Sequence, residues 1–356
     1  MDSKRLRKTT SILKNTNSFE ILRALYIAGT KTRTDLSKEL HISLPTVLRS
    51  IDPYLNELIF IQGKNESKGG RRPERLTFNY FYRKIGGIQV DKNFFTISVS
   101  DLNRKPLIKE KVPFDCTNPH ILSKTIHSTL LQYSRKNLFS SSDLEVLTIA
   151  VAGSVNEKEG IAVDFPLKWN EISTKSFFEG NFYQDFPNCT VIFENDANAL
   201  AIGELADRGY NKENIIGVYL SSGVGLGVVI NGRLYSGSHG RAGEIGDFLS
   251  LFEVDNDMDF ENFFNECKDK EKILILQRLI NNLSLLFDPD EVVVAWDWER
   301  NKGFKVLHEL SINNSWKISR HEDFAVVNGA LSISAMSFLK KIVYGDVKKN
   351  YFVELL

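Results

Sequence analysis

The chain has 356 residues, 42% hydrophobic and 25% charged, with 45 basic against 45 acidic side chains. That is ordinary globular composition for two or three domains, and no apolar run approaches the roughly 18 residues that a membrane span requires. Cys116, Cys189 and Cys267 are odd in number and too scattered for a disulfide framework or a zinc cluster, so the expected setting is a reducing cytoplasm, with no metal and no cofactor.

The basic N-terminus has no apolar stretch behind it and does not read as a secretory signal. Residues 1–85 carry 17 Lys and Arg against 8 Asp and Glu, leaving an acidic remainder. A basic head of this kind either meets a polyanion or is simply a solvated surface. Within it, Ser18 to Ala28 reads as a helix with Phe19, Leu22, Leu25 and Tyr26 on one face and Gly29 as its stop. A second helix begins at Thr32, with Asp35 completing a capping box, and runs to Leu40. Ser43 caps a third, expected from Leu44 to about Leu58, with Val47, Leu48, Ile51, Leu55 and Leu58 as its apolar stripe. Pro45 suits the first turn of that helix, whereas Pro53 should kink or split it. Two strand-like segments, Ile59–Gly63 and Glu74–Phe78, flank the basic, glycine-rich loop 64–73.

Three helices and such a hairpin form a winged helix-turn-helix, whose third helix enters the major groove of duplex DNA. Thr46, Arg49 and Ser50 lie off the apolar stripe and are the expected base or phosphate contacts, with Arg71 and Arg72 on the wing. A small helical protein-interaction domain is the alternative. The run Gly69-Gly70-Arg71-Arg72-Pro73, followed by Ile85-Gly86-Gly87-Ile88-Gln89-Val90-Asp91, resembles the repressor branch of the ROK family (repressors, uncharacterised reading frames and sugar kinases). The likeness covers nearly the whole chain.

Beyond the linker, strands alternate with helices, which argues for an α/β body. The resemblance implies a two-lobed actin-like ATPase (ribonuclease H-like) fold. In ROK kinases the first turn is Asp-x-Gly-Gly-Thr-Lys, where glycines let backbone amides close on phosphate. Here it is Asp91-Lys92-Asn93-Phe94-Phe95, with two phenylalanines where phosphate needs close approach.

The stretch Glu194-Asn195-Asp196-Ala197-Asn198-Ala199 matches the family's sugar motif, which makes Asn195 and Asp196 ligand contacts; capping of the following helix is the plainer use of both. Ser221-Ser222-Gly223-Val224-Gly225-Leu226-Gly227 resembles the second phosphate loop; Ser222, Gly223 and Gly225 read as its vestige, with tight strand packing as the main use of the glycines. In Ala242-Gly243-Glu244-Ile245-Gly246-Asp247 the sugar-binding glutamate is kept as Glu244, while Asp247 stands where the family has histidine. Ionised aspartate only accepts hydrogen bonds, so the hydroxyl pattern recognised should differ. Glu261 aligns with a further sugar contact, and Trp169 sits either on a sugar face or in the core.

The expected division is 1–82 for the DNA-binding head, 86–196 for the first lobe with a closing helix near 325–345 packed back on it, and 197–324 for the second. The expected function is transcriptional regulation, as a repressor, with a duplex operator and a sugar or sugar derivative as partners. The chain should act as a dimer or tetramer, away from membranes and without phosphorylating the ligand. An active sugar kinase, or a DNA-binding protein whose pocket has decayed, are the competing readings.

Overall fold

The computed structural model describes residues 2–64, 74–156, 161–164, 167, 169–178, 180–211, 213–221, 224–238, 240–245, 269–297 and 316–345. Helix α1 (Asp2–Ala28) is longer than its apolar pattern indicates. It leads through strand β1 (Thr30–Thr32) into α2 (Arg33–Glu39) and α3 (Leu44–Ile51). The capping box between Thr32 and Asp35 forms, and the Ser43 side chain accepts from the Thr46 amide. Helix α3 stops at Ile51 and a 3-10 turn carries Pro53, so the proline ends the helix. Strands β2 (Ile59–Lys64) and β3 (Glu74–Phe78) pair antiparallel, and β3 also pairs with β1. A three-residue strand between the first two helices had no alternating signature by which to be recognised.

The body holds two five-stranded sheets with the same internal order. In the first, β4 (Lys84–Asp91), β5 (Phe94–Asp101) and β6 (Pro106–Pro113) form an antiparallel meander. Helix α4 (Pro119–Arg135) then leads to β7 (Leu144–Val151), parallel to β4. A small sheet of β8 (Ser154–Asn156), β9 (Ile161–Asp164) and β10 (Trp169–Ser173) follows, then the short helices α5 (Thr174–Phe177) and α6 (Phe182–Asp185). Strand β11 (Thr190–Asn195) completes the first sheet, parallel to β7, and runs directly into α7 (Asp196–Asp207).

The second sheet repeats the pattern: meander β12 (Ile215–Leu220), β13 (Val224–Ile230) and β14 (Arg233–Leu234), then α8 (Asp269–Phe287), β15 (Glu291–Trp296) and β16 (Trp316–Ile318). The spatial orders are β6-β5-β4-β7-β11 and β14-β13-β12-β15-β16, each third-second-first-fourth-fifth. The expected two-lobed α/β body is the one the chain forms.

Helix α9 (Ala325–Tyr344) closes the fold against β4, β7 and α7. Taken with the preceding turn, Glu322–Tyr344 is long and apolar enough to cross a membrane by length and composition, which corrects the sequence reading that no such run exists. Here 78% of its apolar window is buried, and it serves as the central helix of the core. It crosses α7 at two glycines: a Cβ on Gly203 would lie 3.0 Å from Gly329, and one on Gly329 would fall inside the Ala199 carbonyl. The two backbones thus approach as only glycine allows. One apolar cluster runs from Phe19, Leu22 and Leu25 of α1 into Leu200 and Leu205 of α7 and Phe338 of α9, so head and body share a core.

Candidate functional site

The strongest constellation lies between the two sheets, where β11 meets α7. Asn195 is the N-cap of α7, its Oδ1 accepting from the Asn198 amide at 3.0 Å while its Nδ2 donates to the Gly153 carbonyl at 2.9 Å. The capping use suggested by sequence therefore operates and holds the side chain in place. Asp196, 6% exposed, occupies the first turn of α7, and its Oδ1 accepts from the Ala197 amide at 2.7 Å. Burial is the main force lifting the Asp196 carboxyl; the Ala197 hydrogen bond opposes it, Glu244 and Asp91 add to it, and the result is about 8. A carboxyl lifted this far keeps its proton at neutral pH and donates as well as accepts.

Strand alternation explains what faces it. Gln89 and Asp91 share one face of β4, and the register sets Thr96 opposite Gln89 and Lys111 opposite Thr96. Gln89 Nε2 donates to the Tyr219 hydroxyl of β12 at 2.5 Å, tying the first sheet to the second. Burial, and after it Asp196, Asp91 and Asp297, push the Tyr219 hydroxyl well above its ordinary range. Lys111 reaches across from β6 to the buried Asp297, 2.9 Å away just beyond β15, and lies 4.0 Å over the Phe94 ring. Gln89 Oε1 and Thr96 Oγ1 are buried with no hydrogen-bond partner among the described residues, which makes them acceptors open to a ligand hydroxyl or water.

The structure redistributes the expected residues. Asn195, Asp196 and Glu244 come together, Glu244 on an exposed loop and close enough to act on Asp196. Trp169 does not line the site: it is 3% exposed, its indole donates to the Cys116 carbonyl at 3.0 Å, and it packs against Phe177 and Phe193. Gly225 and Gly227 lie against Ala197, so here the glycines serve close packing of β13 on α7. Of the two phenylalanines, only Phe94 shares the cleft face; Phe95 points into the opposite core with Ile97 and Val99. Ser222, Gly223, Asp247 and Glu261 lie outside the described residues.

Sequence reasoning missed Gln89, Lys111, Tyr219 and Asp297. The signal for Gln89 was present: a lone amide in a strand that otherwise reads Ile-Gly-Gly-Ile-x-Val. Lys111 and Asp297 carried none, because each matters only through its partner in the other lobe.

In the head, Arg49 is exposed, with its Nε bonded to the Pro45 carbonyl at 3.3 Å, and Thr46 is half-buried, its hydroxyl 2.8 Å from that of Ser43. Ser50 is corrected: it is 3% exposed and faces α1, its carbonyl accepting from the Ser18 hydroxyl. Leu48, assigned to the buried stripe, is 41% exposed instead, and Leu44 is exposed beside it. The helix is shorter than expected and its buried face is Val47, Ser50 and Ile51, so the phase of the stripe turned by about one residue. The outward face is then Leu44, Pro45, Leu48 and Arg49. Arg71 and Arg72 lie outside the described residues.

A pair of like-ordered α/β lobes with a polar cleft between them defines the sugar-kinase-like class of fold. Residues 85–256 match the ROK family model, and the chain carries a ROK family domain. It is 29% identical over 241 residues to a protein named xylose repressor in Bacillus spizizenii, covering 66% of this chain and 61% of that one. A protein of the same name in Staphylococcus xylosus is 24% identical over 312 residues, covering 84% and 76% respectively. The chain thus spans only 61% of the first relative's length. Among solved structures, a ROK family transcriptional regulator described as a homologue of the Escherichia coli MLC protein superposes with a TM-score of 0.63 at 16% identity. That match covers 94% of this chain and all of the other, and it speaks for the fold.

Proposed function

We propose that the protein is a sugar-responsive transcriptional repressor. Its head, residues 1–82, is a winged helix-turn-helix; its two lobes, 86–196 with α9 and 197–324, hold the effector without phosphorylating it. The observation that carries this reading is the pairing of an exposed α3 face with a built polar cleft at the head of α7. Arg49 is suited to a guanine edge or a phosphate, and Leu44 and Leu48 to thymine methyl groups. The names of the relatives make D-xylose the first effector to try. Acting as a dimer, the protein sets two heads on half-sites about one helical turn apart. Such a protein works in the cytoplasm.

One feature favours sensing over phosphoryl transfer. The turn between β4 and β5 is only Lys92-Asn93, with pairing continued to Asp91 and Phe94, which leaves no glycine amides to cradle phosphate.

A duplex selected from a random pool by the full chain tests the reading. D-xylose should lower its affinity at least about fivefold, the smallest shift expected of a real coupling. If the protein instead turns over ATP with a sugar, and Asp196→Asn abolishes the turnover, it is a kinase. Arg49→Ala should weaken the duplex about 10- to 100-fold while leaving the unfolding midpoint unchanged. An affinity within twofold of the parent removes α3 from the interface.

A further inference from the structure

Resting on the reading of the chain as a DNA-binding sensor, we propose that Arg104 is the positioning residue through which α7 sets the orientation of the DNA-binding head. One end of α7 carries Asn195 and Asp196; the other carries Asp207, twelve residues along a single helix. Asp207 is nearly buried and is gripped by three side chains from two segments. Arg104, in the turn between β5 and β6, bonds it at 3.0 Å; Arg320 and His321, ahead of α9, bond it at 2.9 and 2.5 Å. Burial alone would raise the Asp207 carboxyl, yet His321, Arg104 and Arg320 together hold it down to about 2.

Arg104 is the hub of this cluster. The same Nη1 that meets Asp207 donates to Ser332 of α9 at 2.9 Å, with Asn328 Oδ1 at 3.5 Å. Its guanidinium also lies close enough to act on the hydroxyls of Tyr26, on α1 of the head, and of Tyr210, just beyond α7. The head rests on that same place. Arg23 of α1 sits 6.0 Å over the Tyr210 ring, and a Cβ on Gly209 would be in ordinary contact with Ile27, 3.7 Å away. Tyr80, at the end of the head, donates to the Tyr26 carbonyl, and its own carbonyl accepts from Leu102 in the turn that carries Arg104 at 2.9 Å.

The backbone of Arg104 is itself unusual. Its φ is 63°, in the left-handed region that side-chain-bearing residues seldom adopt. It is set by the hairpin turn itself, where the Arg104 amide donates to the Asp101 carbonyl at 3.0 Å and Asp101 Oδ1 accepts from the Lys105 amide at 2.9 Å. A ligand that shifts the first turn of α7 moves Asp207 as part of the same rigid helix, and Arg104 passes that shift to α1. The coupling is carried by one helix and one guanidinium.

Full-length Arg104→Met, Arg104→Lys and the parent decide the matter by amide exchange and by duplex binding. Arg104→Met should speed exchange in residues 19–28 on the order of tenfold while α4 stays unchanged, and Arg104→Lys should restore part of the protection. Unchanged exchange in α1, or an equal rise throughout the chain, overturns the proposal. In a double-mutant cycle, Asp196→Asn should change duplex affinity about fivefold in the parent and less than twofold beside Arg104→Met. Equal changes in both backgrounds, or none in either, also overturn it. A protein that selects no duplex refutes the DNA-binding reading, and the exchange arm still decides the role of Arg104.

Discussion

Gly329→Ala is expected to cost about 3 kcal/mol or more of folding stability, from one added methyl group. At an exposed helix position the same change would gain about 1 kcal/mol from helix propensity. The sign reverses because Gly329 is where α9 crosses α7, and the new carbon would overlap the Ala199 carbonyl. Neither helix is free to retreat. On its other side α7 is pressed by Gly217 and Gly227, where a Cβ would run into Ala201 and Ala197, and α9 lies on β4 at Gly87. Backbone meets backbone on every side, so no rotamer change relieves the overlap. Urea unfolding of the purified variant measures the effect; a loss smaller than about 1 kcal/mol would show that the crossing is softer than described.

Asp196→Asn is expected to stabilise the protein, by an amount that grows with pH. The folded carboxyl titrates near 8 against 3.8 in an open chain. Below about pH 4 both states hold the proton and the carboxyl costs nothing. Between pH 4 and 8 the unfolded chain has released a proton that the folded chain keeps, so parent stability falls by up to about 1.4 kcal/mol per pH unit. Above pH 8 the penalty is constant. Asparagine removes it, so the gain over the parent should be near zero at pH 4 and on the order of a few kcal/mol at pH 8. Paired unfolding curves at pH 5 and pH 8 check this. A gain of equal size at both would mean that the carboxyl is ionised throughout. Loss of effector binding in the stabilised variant would set function against stability at this one position.

The fold was legible wherever periodicity and caps agreed. Thr32 with Asp35, and Ser43, act as their chemistry dictates. Errors arose where one period had to be phased over a short helix. The stripe of α3 was read with Leu48 inside and Ser50 outside because hydrophobicity alone set the phase. In the body, motif order located Asn195, Asp196 and Glu244, whereas Trp169 shows the weakness of reading aromatics: a ring suited to a sugar face is equally suited to a core of phenylalanines. The interlobe groups Lys111, Asp297 and Tyr219 were beyond reach, since their partners lie 130 or more residues away and nothing local marks them, whereas Gln89 stood out as a lone amide in an apolar strand.

The bond from Lys111 to Asp297 ties β6 of the first lobe to the end of β15 in the second, and the bond from Gln89 to Tyr219 ties β4 to β12. The two sheets are thus joined across the cleft by groups of the chain itself, one pair charged and one neutral.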